Sequence, residues 1–158
     1  MDARVRGLTF IELLIVVAIL GVLAAVAIPQ LLRSKESANE KAVVGSMHAL
    51  VHTEAIHHTQ QGEFGTLEEL QSRRFLELGA VLSPVGAGAG TTVRFGKASY
   101  DWQFAVASTR RTWNARAKPK EYDVGGKNCY YVDESNVIRF QEGTGGGFTA
   151  GPSSPALP

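Results

Sequence analysis

Hydrophobic residues are arranged along this chain in two ways, first as a continuous run and then as short periodic patterns. Residues 8–28 are almost entirely apolar, and Glu12 is the one charged residue among them. A helix of about 21 residues at ~1.5 Å per residue is ~31 Å long, which is enough to cross the hydrocarbon core of a bilayer. Residues 30–61 then place apolar side chains every three or four positions, as an amphipathic helix does. The pattern predicts one long helix, with Pro29 between its apolar half and its amphipathic half.

The second half of the chain predicts a short helix followed by strands. Gly62 is a helix stop signal, and Thr66 and Glu69 have the spacing of a capping box that starts a short helix. Four later segments have strand-like patterns: residues 100–106, 112–117, 128–133 and 137–141. We expect three or four antiparallel strands, each with one buried face, to pack against the amphipathic helix. Residues 143–158 are rich in Gly, Pro and Ser, which predicts a disordered tail.

The segment before the apolar run carries a specific motif. Residues 1–7 form a short basic leader that ends in Gly7, and Glu12 follows within the apolar run. These residues, with Pro29 after the run, resemble the prepilin leader of type IV pilins and type II secretion pseudopilins. The resemblance implies that the leader is cut after Gly7 and that Leu8 becomes a methylated N-terminus. It also implies an α+β, pilin-like fold, in which the long N-terminal helix packs on a small antiparallel sheet.

Glu12 is the candidate assembly residue. A carboxylate inside a bilayer is costly, so an intramembrane Glu is by default a functional hypothesis with a partner to be found. Cleavage would give Leu8 an ammonium group, whose reference pKa is about 7.7–8. That amine lies one helical turn from Glu12, and it reaches the Glu12 of a neighbouring copy more easily than its own. We expect an intersubunit ion pair; the alternative is that Glu12 only reaches up to the lipid headgroups.

The leader and the apolar run also predict the membrane topology. Arg4 and Arg6 precede the run, and basic flanks favour the cytoplasmic side. We expect a single-pass inner-membrane protein whose head is periplasmic, and which then enters a cell-surface or periplasm-spanning filament. The alternative is a conventional secretory signal cleaved after the Ala25-Val26-Ala27 sequence. The predicted segments are a cleaved leader (1–7), a transmembrane and assembly helix (8–29), a head that includes the amphipathic half of the helix (30–142) and a flexible tail (143–158).

Two residues are predicted weak points of the long helix. Pro29 lacks an N–H and crowds the carbonyl of Ala25, and Gly21 lowers helix propensity. Since the stretch around this proline can lose helix in pilin filaments, the resemblance implies that residues 21–29 are the softest part of the helix. The alternative is a simple kink at Pro29.

The function implied is that of a filament subunit. The resemblance points to a structural subunit of a type IV pilus-like filament, or to a pseudopilin of a type II secretion system. It implies as partners further copies of the chain, other pilin-like subunits, the inner membrane, a prepilin peptidase/methylase, an assembly platform protein and a motor ATPase. A third possibility is a membrane-anchored binding module that does not polymerise. No catalytic set stands at a recognisable spacing, so we expect neither an enzyme nor a cofactor.

Charge and cysteine content narrow the alternatives. The formal net charge is +1, of which the leader supplies all, so the remaining chain is neutral and has no general attraction to nucleic acid. Cys129 is the only cysteine, which excludes an intrachain disulfide and predicts a small buried side chain.

Four other features have a structural explanation and a functional alternative. The histidines at 48, 52, 57 and 58 predict a solvated face, with a metal site as the alternative. The Gly-Ala repeat at 86–90 predicts a loop, since the remainder of a phosphate-binding motif is missing. The basic stretch at 110–120 predicts a solvated hairpin or a subunit contact. DNA binding is the alternative, but Trp113 lies on the expected core face and so is not free to stack on a base. The turn at Asp133 has calcium binding as its alternative.

Overall fold

A computed structural model describes residues 9–72, 82–83, 90, 92–97 and 99–158 of this chain. The predicted leader, the cleavage position Gly7 and the predicted new N-terminus Leu8 lie outside the described residues. So does most of the Gly-Ala repeat. The chain divides into two compact units, Met1–Lys35 and Glu36–Pro158.

The first unit is the apolar part of a long helix. Helix α1 runs from Phe10 to Gln61 and passes through Pro29 without a break. All side chains from Phe10 to Leu32 are exposed, including every large apolar one. The predicted continuous helix is therefore present. The predicted softness around Gly21 and Pro29 stays a prediction.

The second unit consists of the remainder of α1, a short helix α2 and a sheet. Helix α2 spans Leu67–Ser72. Among the described residues the sheet has six strands: β1 (Leu82–Ser83), β2 (Thr92–Lys97), β3 (Tyr100–Val106), β4 (Trp113–Pro119), β5 (Asn128–Asp133) and β6 (Arg139–Glu142). Each strand pairs antiparallel with the next along the chain, so the sheet is a meander. This α+β layout confirms the predicted fold class, but the sheet is larger than the three or four strands expected.

The core lies between α1 and one face of the sheet. Strands β3 and β4 alternate strictly between buried and half-buried positions, as their sequences predict. Trp102 and Trp113 are the largest side chains in this core, and Met47 on α1 belongs to the same cluster. A polar contact also joins helix and sheet: Glu40 Oε1 accepts hydrogen bonds from the backbone N–H groups of Lys127 (2.9 Å) and Asn128 (3.1 Å).

The C-terminal segment differs from the prediction of a disordered tail. Phe140 N–H donates to the Pro155 carbonyl (2.9 Å), and Leu157 N–H donates to the Ile138 carbonyl (2.7 Å). Ala150 is buried with Cys129 and Tyr131 in a second small cluster on β5. Strand β6 lies at the edge of the sheet, where unpaired backbone groups need partners, and the segment supplies them. Composition measures only the mean polarity of a segment and does not register such pairing.

Candidate functional site

Glu12 lies in the first turn of α1, where it closes a capping box with Thr9. The backbone N–H and the hydroxyl of Thr9 each donate to Glu12 Oε2 at 2.8 Å. In return, Glu12 N–H donates to Thr9 Oγ1 at 3.3 Å. The Thr-x-x-Glu spacing pairs two N–H groups that a helix start otherwise leaves open. Sequence reasoning missed this box at Thr9 although it identified the same spacing at Thr66.

The capping box engages only one of the two oxygens of the Glu12 carboxylate. Both Thr9 contacts end on Oε2, and Oε1 has no hydrogen-bond partner among the described residues. Phe10 and Ile11 beside it are 77% and 65% exposed. Thr9 thus orients the carboxylate and leaves one oxygen available to a cation from outside the chain. The predicted ion pair with a neighbouring N-terminus stays a prediction.

The surface around Glu12 is apolar along the whole first half of α1. Fifteen large apolar side chains between Phe10 and Leu32 are each about half exposed or more. An 18-residue window of α1 has a mean hydropathy of 3.0 and none of it is buried, so by length and composition this helix can cross a membrane. An exposed apolar surface of this extent requires a cover, which lipid or other protein can provide.

A second capping box lies in the head, where Thr66 and Glu69 start α2. Thr66 N–H donates to Glu69 Oε2 (2.8 Å), and Glu69 N–H donates to Thr66 Oγ1 (3.4 Å), which confirms the predicted box. Here the carboxylate also has a cation. Arg110 reaches both Glu69 oxygens, at 3.0 and 3.3 Å, and Glu63 at 2.7 Å. Burial raises the pKa of Glu69, but the Thr66 N–H and Arg110 outweigh it and hold the pKa below its usual value.

Beside this box lies a buried carboxyl group that the sequence did not indicate. Glu54 on α1 is fully buried, and its Oε2 accepts a hydrogen bond from Gly65 N–H at 3.0 Å. Its Oε1 is buried without a hydrogen-bond partner. Burial raises the pKa of Glu54 to about 7, against the Gly65 hydrogen bond, and the negative charge of Glu69 adds to the rise. Glu54 therefore changes its charge near neutral pH.

The four histidines do not share one environment. His48, His52 and His58 are exposed, as predicted for a solvated face. His57 is buried, and its Nδ1 lies 3.0 Å from the Glu63 carbonyl, so the prediction was wrong for this residue. The chain after Gly62 folds back over α1 and covers it. Within the described residues no group of three or more His, Cys, Asp or Glu side chains could hold a metal ion.

The remaining candidates have structural surroundings. Cys129 is buried, as predicted, with its Sγ 3.7 Å from the Gly147 carbonyl. Trp113 is buried in the core, as predicted, so it is not available to stack on a base. Asp133 Oδ1 accepts a hydrogen bond from Ser135 N–H (2.9 Å), as is common in turns.

Comparison with known proteins addresses the N-terminal region. Residues 2–28 match the family model described as the prokaryotic N-terminal methylation motif. The chain is 42% identical over 50 residues to type II secretion system core protein G of Dickeya chrysanthemi, covering 32% of this chain and 33% of that protein. In this segment, the chain is similar to pilins and pseudopilins. The match supports the prediction made from the leader, Glu12 and the apolar run.

Both branches of this family appear among the relatives. The type II secretion system core protein G of Klebsiella pneumoniae is 45% identical over 47 residues, or 30% of this chain and 34% of that protein. The type IV wide pilus major component PilA4 of Thermus thermophilus is 48% identical over 46 residues, or 29% of this chain and 35% of that protein. The chain thus matches about a third of the length of the curated relatives. The family model covers the segment that contains Glu12.

Proposed function

We propose that this chain is a structural subunit of a filament that polymerises through α1, as a type IV pilus-like subunit or a type II secretion pseudopilin. One observation carries the proposal: the first half of α1 is an exposed apolar helix with a single charge, Glu12, at its start. One oxygen of this carboxylate accepts hydrogen bonds from Thr9, and the other has no partner among the described residues. Such a helix is stable in lipid before assembly and among other such helices after it. We propose no enzymatic activity, since the family is structural.

Processing would supply the partner that Glu12 lacks. Cleavage after Gly7 frees the Leu8 amine, and methylation leaves it able to carry a positive charge. Glu12 Oε1, left open by the Thr9 box, would accept that cation from an adjacent copy. Because breaking a buried ion pair costs about 3–5 kcal/mol, assembly would depend on prior cleavage.

The membrane stage follows from the same segment. Arg4 and Arg6 would hold the N-terminus in the cytoplasm, and the head beyond residue 35 would face the periplasm. The energy for extraction would come from a motor ATPase acting through a platform protein. Gly21 and Pro29 would let α1 adjust when it leaves lipid and packs among other copies.

An intact mass of the native protein tests the processing step. We expect a chain that begins at Leu8 and is heavier than the bare sequence by one methyl group, about 14 Da. A chain that begins at Ile28 would indicate a conventional secretory signal instead, and an untrimmed chain found only as a monomer would contradict the proposal.

The phenotype of a gene deletion distinguishes a type IV pilus from a type II secretion system. A pilus subunit and a secretion pseudopilin would both use the exposed apolar half of α1, and the relatives reported above include two secretion proteins and one pilus protein. Deletion of the gene would impair surface motility or surface filaments if the chain serves a pilus, and export of secreted enzymes if it serves a secretion system. Helical filaments that contain the chain would exclude the anchored module that does not polymerise.

A further inference from the structure

The outer face of the sheet, opposite the core, has a covered part and an open part. The C-terminal segment covers β5 through the cluster of Cys129, Tyr131 and Ala150. Beside it, strands β2–β4 and residues 146–148 line an open cavity of about 530 Å³. The open part is thus a ready site for a group from outside the head.

The charged side chains of this cavity are two cations, Arg94 and Lys118, and one acid, Asp101. Arg94 on β2 is paired with Gln103 on β3, and Lys118 on β4 is paired with Asp101 on β3. The Gln103 amide therefore lies among these three charged side chains in the cavity lining. Lys118 Nζ lies 5.6 Å from the centre of the Phe148 ring, which forms one wall. A protein segment suits this lining better than a polyanion does, because Asp101 can accept peptide N–H groups but repels a chain of phosphates.

The turn that follows β4, and that begins three residues after Lys118, has acidic and apolar side chains. The β4–β5 turn, residues 121–124, displays Glu121 and Asp123, both exposed; Asp123 pairs with Lys127 of the same chain at 3.1 Å, and Glu121 is the acid offered to a partner. Between them, Tyr122 is 38% exposed, and Val124 after them is 56% exposed. In the described part of the head, the exposed large apolar side chains are Tyr122, Val124 and Val137.

The turn is also rigid, so it can act as a preformed knob. The N–H groups of Val124 and Gly125 both donate to the Glu121 carbonyl, at 3.4 and 2.9 Å. The Tyr122 hydroxyl donates to Glu142 Oε1 at 2.8 Å. A preordered turn loses little conformational entropy when it binds.

We propose that the outer-face cavity receives the β4–β5 turn of a second copy of this chain, with Glu121 near Lys118 and Arg94 and with Tyr122 against Phe148. This contact rests on the proposed filament and adds a head-to-head interface to it. The cavity and the turn have no residue in common, so one copy can offer its turn while its own cavity receives the turn of the next, as a helical polymer requires.

Single-cysteine copies test the contact in assembled filaments. Two differently tagged full-length chains are expressed together, one with Gln103→Cys in the cavity and one with Val124→Cys in the turn. The matched control replaces Val124→Cys with Val137→Cys, at the other exposed valine of the head. Copies without an added cysteine control for Cys129, which is buried.

We expect the turn copy to form a disulfide-linked pair with the cavity copy about tenfold more than the control copy does, because the contact raises the effective concentration of the two thiols. Filaments in which the turn copy links no better than the control copy would overturn this contact and leave the filament proposal intact. A chain that forms no filaments under any condition would overturn both.

Exchange of charge sharpens the test. Lys118→Glu on the cavity copy, or Glu121→Lys on the turn copy, should each lower cross-linking about fivefold, and the two together should restore it. Loss without restoration would overturn the charge pairing. Unchanged cross-linking together with loss of binding to a duplex DNA oligonucleotide would show that nucleic acid, and not a second copy, occupies the cavity.

Discussion

The two Thr-x-x-Glu boxes of this chain have the same local geometry and different surroundings. In both, a Thr backbone N–H donates to the carboxylate of the Glu three residues later at 2.8 Å. Glu69 also holds Arg110 through both oxygens, whereas Glu12 keeps one oxygen open among exposed apolar side chains. The local code builds a helix start in each case, and the tertiary surroundings decide whether the carboxylate is satisfied or available.

The same contrast applies to the regions around the two boxes. The head buries its apolar residues in one cluster between α1 and the sheet. The first half of α1 leaves its apolar residues exposed over more than twenty positions. The head therefore buries its apolar residues within a single chain, while the first half of α1 needs lipid or further copies to cover its own.

The largest expected effect follows from neutralising the available carboxylate. Glu12→Gln keeps the shape and the contacts with Thr9 but removes the charge, so filament yield should fall by more than about tenfold while membrane insertion is retained. Sheared filaments and membrane fractions measure the two quantities. Glu69→Gln is the matched control and should assemble normally; normal filament yield from Glu12→Gln would remove the functional difference between the boxes.

The next largest expected effect is the change that Glu54 makes in the pH dependence of the stability of the head. The pKa of Glu54 is about 7 when folded and near 4.5 when unfolded, so the stability it contributes is complete below pH 4.5 and is lost as pH rises through 7. Glu54→Gln keeps an acceptor for Gly65 N–H without a charge. It should stabilise the head at pH 8 by about 3 kcal/mol and change little at pH 4.

Trp102 and Trp113, both buried, report unfolding of the head by fluorescence in full-length protein held in detergent. A stability that is independent of pH between 4.5 and 8 in the native chain would contradict the assignment of a buried, titrating Glu54. Gly65, which donates to Glu54, and Glu69, whose charge acts on it, both stay unchanged in the variant.

Glu69→Gln should have a smaller effect of the opposite sign. It retains the cap on Thr66 and weakens the two-pronged contact with Arg110, so the free energy of unfolding should fall by about 1 kcal/mol at pH 7. Because the pKa of Glu69 is lowered by folding, its contribution is present above pH 4.5 and is lost as pH falls. The difference between variant and native chain should therefore shrink toward pH 3, and a constant difference would contradict the ion pair.

The smallest expected effect concerns the cap itself. Thr66→Val removes the hydroxyl at nearly constant shape, and the bond it makes to Glu69 N–H is long at 3.4 Å. We expect a loss of about 0.5–1 kcal/mol in the free energy of unfolding, and Thr66→Ser should restore most of it. A loss of stability from Thr66→Ser with none from Thr66→Val would indicate that packing of the Thr methyl group, and not the hydroxyl, stabilises this helix start.

Periodicity was a good guide where one face of an element is buried along its whole length. It predicted the amphipathic half of α1 up to Gln61 and the buried faces of β3 and β4, because these segments contact the core along their length. It missed β2, where Arg94 and Gly96 interrupt a short run, and the pairing with β3 maintains the strand. It also missed the order of the C-terminal segment, which depends on the open edge of β6.

The amino-acid sequence by itself determined the apolar first half of α1, its single charge at Glu12 and the similarity to the N-terminal methylation motif, because hydrophobic runs and local spacing act within a few turns of one helix. Only the tertiary structure decided that Glu54 and His57 are buried, that Arg110 pairs with Glu69, and that a cationic cavity lies open on the outer face of the sheet. These features join residues that are distant in the chain. Their energies depend on which groups burial removes from water, and no local pattern carries that information.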